Sequence, residues 1–229
     1  MGRIVILTGA GISAESGLGT FRDEGGLWAR HRIEDVATPE GFARDPALVH
    51  RFYNIRRAQA AAARPNAAHA ARARLEAESS DVVTLVTQNV DDLHRRAGSH
   101  HVLQMHGRLA GALCDVCGHQ WEALPEMDEE TPCPACHRAA ARPDVVWFGE
   151  YPHYMEEIAA LLAEARIFAA IGTSGQVYPA AGFVQEGAYA GARTIELNLS
   201  DSEISRAFED HRVGPASRVV PQWVAELLA

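Results

Sequence analysis

The stretch Arg3-Ile4-Val5-Ile6-Leu7-Thr8-Gly9-Ala10-Gly11-Ile12-Ser13-Ala14 decides the fold. Its first six residues form a nearly continuous apolar run, which is typical of a strand buried on both faces of a parallel sheet. Gly9 and Gly11 then turn the chain, and residues 13–16 can open a helix. The stretch therefore predicts the first strand-turn-helix unit of an α/β fold.

The same alternation continues along the chain. Further strands are predicted at 82–87, 102–105, 167–171 and 194–197, and helices at 46–63, 67–78, 154–165, from about 179 and at 222–228. Strands that alternate with helices indicate a doubly wound parallel sheet. Ligands of such sheets bind at the carboxyl ends of the strands. The polar or glycine residues that follow these strands are therefore expected on one rim: Gly9, Gln88, Gly172 and Asn198.

Length and composition exclude several classes of protein. A chain of 229 residues fits one large domain or one domain with an inserted module, and 47% hydrophobic residues can form a core. The net charge of −9 argues against nucleic acid as the main partner. No apolar run approaches the roughly 20 residues that span a bilayer, and the first run is too short for a signal peptide. We expect a cytoplasmic protein with no membrane or nucleic-acid partner.

The glycine turn fits the fingerprint of dinucleotide-binding sites, Gly-x-Gly-x-x-Gly/Ala. Its glycines let the backbone approach a pyrophosphate at a helix N-terminus. Taken alone, the pattern is about equally typical of a structural turn. The acidic residue that usually follows about 20 positions later is missing. The layout is therefore not that of an ordinary dehydrogenase.

The four cysteines form two Cys-x-x-Cys pairs: Cys114, Cys117, Cys133 and Cys136. Two such pairs at this spacing place four thiolates tetrahedrally around a zinc ion. A redox dithiol is the rival interpretation, and two pairs in a loop-rich stretch disfavour it. Because four sulfur ligands leave no open coordination position, the zinc is expected to be structural.

His106 is the candidate general base. The chain has 11 histidines, so a single one is more often structural or exposed than catalytic. His106 is favoured because its strand should end on the same rim as Asn89 and Asp91. A histidine that titrates near neutrality suits proton transfer.

Tyr53 and Arg56 lie three residues apart on a predicted helix and therefore share a face. One interpretation is a packing pair with a solvated guanidinium. The other is a carboxylate clamp, in which the arginine fork binds two oxygens and the tyrosine hydroxyl adds a third hydrogen bond. Spacing alone favours the first interpretation.

Taken together and in this order, the motifs resemble the sirtuin family of NAD-dependent protein deacylases over essentially the whole chain. The resemblance is carried by Gly9-Ala10-Gly11-Ile12-Ser13, Thr20-Phe21-Arg22, Gln88-Asn89-Val90-Asp91, His106-Gly107, the four cysteines, Val145-Val146-Trp147-Phe148-Gly149-Glu150, Gly172-Thr173-Ser174 and Asn198. Tyr53 with Arg56 resembles the signature of the class III branch, which removes succinyl, malonyl and glutaryl groups from lysine.

The resemblance implies a domain organisation. A Rossmann-like parallel sheet would comprise residues 1–28, 71–106 and 143–229. A small helical module with the acyl-recognition residues would comprise 29–70, and the inserted zinc-binding module 107–142.

The resemblance also implies a role for each residue set. NAD would contact Gly9, Ala10, Gly11, Ser13, Glu15, Ser16, Thr20, Phe21, Arg22, Trp28, Gln88, Asn89, Val90, Asp91, Gly172, Thr173, Ser174, Asn198, Leu199, Ser200 and Ala216. The substrate would contact Tyr53, Arg56, Val145, Val146, Trp147, Phe148, Gly149 and Glu150, with residues 145–150 pairing with its backbone in β fashion. Asn89 and His106 would be catalytic, with His106 deprotonating a ribose hydroxyl after the acyl-lysine oxygen has displaced nicotinamide.

The implied enzyme acts on acylated lysine side chains of proteins. It consumes NAD and yields nicotinamide, free lysine and O-acyl-ADP-ribose. A carboxylate entering an apolar tunnel costs several kcal/mol unless it is paired, and Tyr53 with Arg56 would supply the pair. Two alternatives stay open: a protein ADP-ribosyltransferase that uses the same NAD pocket, and a non-catalytic zinc module that senses NAD and binds a partner.

Overall fold

The structure is a computed structural model that describes residues 2–19 and 31–229. Its strands are β1 (Arg3–Thr8), β2 (Val82–Thr87), β3 (Val102–Gln104), β4 (Gly107–Cys114), β5 (Gln120–Glu122), β6 (Ala141–Val145), β7 (Ile167–Ile171), β8 (Arg193–Asn198) and β9 (Asp210–Val213). Its helices are α1 (Gly11–Ala14), α2 (Ile33–Val36), α3 (Pro39–Arg44), α4 (Pro46–Ala62), α5 (Ala67–Glu78), α6 (Leu93–Arg96), α7 (Met155–Ala163), α8 (Phe183–Tyr189) and α9 (Ala216–Leu228), with 3₁₀ turns at Ala180–Gly182 and Ser205–Ala207.

Within these residues, six parallel strands form the main sheet in the order β3-β2-β1-β7-β8-β9. The chain begins at β1 in the middle, adds β2 and β3 on one side, and then adds β7, β8 and β9 on the other. The direction of winding therefore reverses between β1 and β7. In open α/β sheets, the ligand crevice opens at such a reversal, beyond the carboxyl ends of the strands. The expected Rossmann-like parallel sheet is confirmed.

Strand β1 is buried on both faces because its side chains alternate between two cores. Ile4 and Ile6 pack into one cluster, which contains residues of α5 and α9. Val5 and Leu7 pack into the other, which contains residues of α7 and α8. The continuous apolar run of the sequence is thus explained by helices on both sides of the sheet.

Helices α4 and α5 begin where their capping residues predict. The Asp45 carboxylate accepts a hydrogen bond from the Leu48 amide at 2.8 Å, with Pro46 at the first helical position. Asn66 caps α5, and the His69 side chain reaches back to the Asn66 amide to complete a capping box. Both helices therefore start at residues that the sequence identifies.

A separate antiparallel sheet, in the order β5-β4-β6, carries the cysteine loops. A third core cluster joins this sheet to α4 through Phe52, Tyr53, Leu109, Val145 and Trp147. Among the described residues, no helix combines the length and the apolar character that crossing a bilayer requires.

Three expectations about secondary structure were wrong. The last helix begins at Ala216 rather than at residue 222, and Pro221 lies inside it. Burial of Val220 and Trp223 outweighs the roughly 3 kcal/mol that an internal proline costs. Strand β9 was missed because three of its four residues are polar or charged and none of the four is buried. The first helix is a single turn at Gly11–Ala14, since Gly17 follows with a φ of +85°.

Candidate functional site

The glycine turn after β1 packs directly on the turn after β7. The Gly9 amide donates to the Ile171 carbonyl at 3.0 Å, and the Gly11 amide donates to the Gly172 carbonyl at 2.8 Å. A Cβ at Gly11 would lie 2.8 Å from the Gly172 backbone, and one at Gly172, whose φ is +61°, would lie 2.4 Å from the Ile12 nitrogen. These glycines are therefore required for contact between the two turns, independently of any ligand.

Ser13 is the centre of a buried polar network on the rim. Its hydroxyl donates to the Asp91 carboxylate at 3.2 Å and accepts from the Asn89 side-chain amide at 3.3 Å. The same amide donates to the Gly9 carbonyl at 3.1 Å. The three side chains are each at least nine-tenths buried. Burial raises the pKa of Asp91, against hydrogen bonds from Leu93 and Ser13. The network holds Asn89 and Asp91 against the glycine turn.

Two histidines that the sequence analysis did not select lie beneath this network. His69 Nδ1 accepts from the Asn66 amide, so the ring proton sits on Nε2, which faces Ser13 Oγ at 3.5 Å. His94 Nε2 lies 3.0 Å from Thr8 Oγ1, and the two imidazole rings are 4.8 Å apart. Burial lowers the pKa of His69 to about 4 and that of His94 well below its ordinary value. Both are therefore neutral at pH 7.

Only one of these two histidines had a signal in the sequence. His69 stands three residues after the N-cap Asn66, the position that completes a capping box. His94 has no comparable local pattern, since its partner Thr8 is 86 residues away.

His106 lies on the same rim, as expected. Its Nδ1 is 3.1 Å from the Gln88 carbonyl oxygen. Because a carbonyl can only accept, Nδ1 carries the proton and Nε2 keeps its lone pair. Burial lowers the pKa of His106, against the hydrogen bond to Gln88. The ring is thus a neutral base with a fixed tautomer.

The ends of β7 and β8 continue the rim beyond Gln88. The Gln88 side chain donates to Thr173 Oγ1 at 3.1 Å, and the Asn198 side chain donates to the Thr173 carbonyl at 2.7 Å. Ser174 and Asn198 are half-buried, whereas Leu199 and Ser200 are exposed. The structure therefore brings together the predicted residues from the ends of four strands.

Glu15 and Ser16 hold neighbouring helices in place. The Glu15 carboxylate accepts from the amide and the hydroxyl of Ser217 at 2.9 and 2.6 Å, next to Ala216 at the start of α9. Ser16 Oγ accepts from the Asn66 side chain at 3.0 Å. A carboxylate at a helix N-terminus is stabilising, so Glu15 ties the first turn of the fold to its last helix.

Tyr53 and Arg56 lie on the inner face of α4. Tyr53 is only 1% exposed, and its hydroxyl accepts from Trp147 Nε1 at 3.0 Å. The Arg56 guanidinium lies 5.5 Å from the Tyr53 ring centroid and 5.7 Å from that of Phe52. Burial lowers the pKa of Arg56, against attraction to Tyr53 and Asp91, and burial also raises the pKa of Tyr53. Tyr53 is buried and Arg56 is half-buried, so the Arg56 side chain is only partly solvated.

Residues 145–150 are held from behind by Arg142. The Arg142 guanidinium binds both Glu150 carboxylate oxygens, at 2.7 and 2.9 Å, and lies 3.6 Å from the Trp147 ring centroid. The Val146 amide donates to the His106 carbonyl, and the Phe148 amide to the Ala37 carbonyl. Phe148 and Gly149 are exposed. The exposed residues Phe148 and Gly149 are therefore supported from behind by the contacts of Arg142 with Glu150 and Trp147.

The four cysteine sulfurs converge at one point, all within 4.8 Å of one another. The Cys114–Cys136 and Cys117–Cys133 sulfur pairs are 3.6 and 3.7 Å apart. A tetrahedron with zinc–sulfur bonds of about 2.3 Å has edges of about 3.8 Å. The cluster therefore fits a structural zinc ion.

Four predicted NAD contacts, Thr20, Phe21, Arg22 and Trp28, lie outside the described residues.

Comparison with known proteins assigns the family. A model of the Sir2 family matches residues 9–179. The chain belongs to the Sir2 family. The resemblance to sirtuins that the sequence motifs predict is therefore confirmed.

Relatives of this Sir2-family protein are similar over nearly its whole length. A protein of Bdellovibrio bacteriovorus is 58% identical over 228 residues, covering 98% of this chain and 96% of its own, and one of Caulobacter vibrioides is 52% identical, covering 99% and 97%. Both are named NAD-dependent protein deacylase. A solved Sir2 homologue–NAD complex is 37% identical with a TM-score of 0.91, covering 98% of this chain and 89% of its own.

Proposed function

We propose that this sirtuin removes short acyl groups that end in a carboxylate, succinyl and malonyl, from protein lysines, and acetyl groups as well. NAD-dependent protein deacylation is the activity for which its relatives are named, at more than half identity over the full chain. The choice of acyl group rests on one observation: Tyr53 and Arg56 lie together on α4 near the rim. Tyr53 is buried and Arg56 is half-buried, and the Arg56 guanidinium is attracted by the Asp91 carboxylate on the rim.

The pair offers the chemistry that a carboxylate needs. Arg56 stays cationic, since guanidinium remains protonated in proteins even when burial lowers its pKa. Tyr53 keeps its proton at neutral pH, because burial raises its pKa. A buried carboxylate would then find a positive charge and a hydroxyl donor side by side. A neutral acetyl group gains neither interaction.

The rim residues would bind and orient NAD, which supplies the reactive ribose carbon and its nicotinamide leaving group. Asn89 and Asp91 are held rigidly by Ser13, so they can line the pocket without reorganising. His106 would remove a proton through Nε2, the nitrogen that the Gln88 carbonyl leaves unprotonated. The remaining predicted contacts keep their roles as proposals, as do the three-part division of the chain and its cytoplasmic location.

Mass spectrometry of matched acetyl-lysine and succinyl-lysine peptides, with and without NAD, tests the proposal. We expect NAD-dependent loss of succinyl together with the appearance of O-succinyl-ADP-ribose. Loss of acetyl alone would keep the deacylase and overturn the acyl preference.

Arg56→Met sharpens the test. Truncating one partner of a buried charge pair typically costs about 2–5 kcal/mol, so desuccinylation should fall by at least about thirtyfold. Deacetylation should fall much less. Equal losses on both peptides would remove the carboxylate clamp.

Neither alternative function is favoured. A protein ADP-ribosyltransferase would need an acceptor nucleophile and would leave Tyr53 and Arg56 unexplained; it would show as ADP-ribose attached to protein in the same experiment. A non-catalytic NAD sensor would keep NAD binding and show no turnover. If His106→Ala abolishes turnover while NAD binding persists, the sensor is excluded.

A further inference from the structure

The Tyr53 hydroxyl is oriented by a residue outside the helix that carries it. Trp147, next to β6, donates its indole N–H to the Tyr53 oxygen at 3.0 Å, and both side chains are almost completely buried. An indole N–H is a donor only, so Tyr53 must be the acceptor in this bond. The Tyr53 proton therefore points away from Trp147.

Trp147 can impose this direction because its own position is fixed on several sides. The Arg142 guanidinium stacks on its ring at 3.6 Å, and the Phe42 ring packs at 5.2 Å. Its backbone amide donates to Glu150 at 2.8 Å, and the same carboxylate binds Arg142. The indole cannot turn without disrupting these contacts.

We propose that Trp147 is a positioning residue for acyl specificity: by fixing the Tyr53 hydroxyl as a donor, it makes the Tyr53–Arg56 pair select a carboxylate. The inference rests on the proposed function. A phenolic hydroxyl without a fixed partner rotates and loses part of its hydrogen-bond strength through entropy. With Trp147 and Arg56 both donating to it, the Tyr53 oxygen is used as an acceptor on two sides, and its proton is left for a carboxylate bound by Arg56.

A double-mutant cycle tests the proposal. Trp147→Phe, Tyr53→Phe and the double variant would be assayed with succinyl-lysine and acetyl-lysine forms of one peptide. The quantity compared is the ratio of kcat/KM for succinyl over acetyl, which cancels general damage to the enzyme. We expect Trp147→Phe to lower this ratio by about three- to tenfold, the range of one oriented hydrogen bond.

The same substitution made in the Tyr53→Phe protein should leave the ratio unchanged, since the hydroxyl that Trp147 orients is gone. A further fall there would mean that Trp147 recognises the acyl group directly, which overturns the proposal. An unchanged ratio in Trp147→Phe alone would overturn it too. If Tyr53→Phe and Arg56→Met also leave the ratio unchanged, the proposed function itself fails, so the two failures are distinguishable.

Trp121→Phe is the matched control. It makes the same substitution on β5, where the Trp121 ring stacks on His119 and not on the Tyr53 side chain. The ratio should stay at the wild-type value even where overall rates fall.

The indole N–H signals in a ¹⁵N-correlated spectrum provide a second readout that does not depend on turnover. The chain has four tryptophans, and Trp147→Phe identifies the relevant signal. Tyr53→Phe should shift it strongly, because the acceptor oxygen is removed. A succinyl-lysine peptide should shift it more than its acetyl counterpart, and equal shifts would contradict the proposal.

Discussion

Some residues on the rim hold neighbouring side chains in place, and Ser13 is an example. Its hydroxyl accepts from Asn89 and donates to Asp91, while His69 approaches from below. The hydroxyl proton is committed to Asp91 because the other groups around it are donors. If the site binds NAD as proposed, we expect Ser13 to contribute through Asn89 and Asp91, the side chains that it holds in place.

Ser13→Ala should weaken NAD binding by roughly tenfold, since Asn89 and Asp91 each lose a buried hydrogen-bond partner. Isothermal titration calorimetry with NAD measures this. Ser99→Ala is a matched control, because Ser99 is also buried and its hydroxyl has no partner within the described part of the chain. An equal loss of affinity in both variants would contradict a specific role for Ser13.

The pH profile of kcat/KM should report His106. The base must be neutral, and burial lowers the pKa of His106 below its ordinary value of 6.5. Activity should therefore persist down through pH 6.5 and fall only below it, as the ring becomes protonated. An acid limb centred above pH 7 would show that another group controls this step.

At the scale of elements, helices α5 and α6 bring buried neutral histidines beneath the site. His69 has a folded-state pKa of about 4 against 6.5 unfolded, so the unfolded chain binds the extra proton first as the pH falls. Stability from this group is full above pH 6.5 and is lost between pH 6.5 and 4. A shift of this size corresponds to about 3 kcal/mol.

His69→Gln isolates this contribution. Glutamine can complete the same capping box but does not titrate. The free energy of unfolding in urea, measured at pH 7 and pH 4, should fall by about 3 kcal/mol more in the wild type than in the variant. Because both proteins lose zinc affinity equally in acid, the difference between them reports His69. Parallel losses would show that His69 does not control the acid sensitivity.

For the whole molecule, α4 is joined by polar contacts to β4 and to the segment between β5 and the second cysteine pair. The Asn54 side chain donates to the Met127 carbonyl at 2.8 Å and accepts from the Met127 amide. Arg57 donates to the Leu109 carbonyl at 2.9 Å and to the Pro125 carbonyl at 3.2 Å. The helix that carries Tyr53 and Arg56 therefore packs on β4 and on the segment between β5 and the second cysteine pair.

Removing zinc with a chelator should unfold the cysteine loops and abolish activity indirectly, since metal binding supplies folding free energy there. Hydrogen exchange should rise first at 114–140 and then in α4. Added zinc, but not magnesium, should restore both exchange protection and activity. Full activity in zinc-free protein would contradict this coupling.

The sequence by itself determined five of the six strands of the main sheet and the two capped helices, because those signals are local. Residues 3–8, 82–87 and 167–171 are apolar runs with glycine or polar residues at their ends, and Asp45 and Asn66 mark helix starts. The cysteine spacing identified the metal cluster for the same reason. Resemblance to a family added the roles that no local pattern contains.

Tertiary structure alone decided the remaining features, because they depend on residues far apart in the chain. Trp147 meets Tyr53 across 94 positions, and Thr8 meets His94 across 86. Helix α9 continues through Pro221 because residues on both sides of the proline pack into the same core cluster. Such contacts arise from packing three core clusters around one rim, so the orientation of Tyr53 and Arg56 cannot be read from their spacing in the sequence.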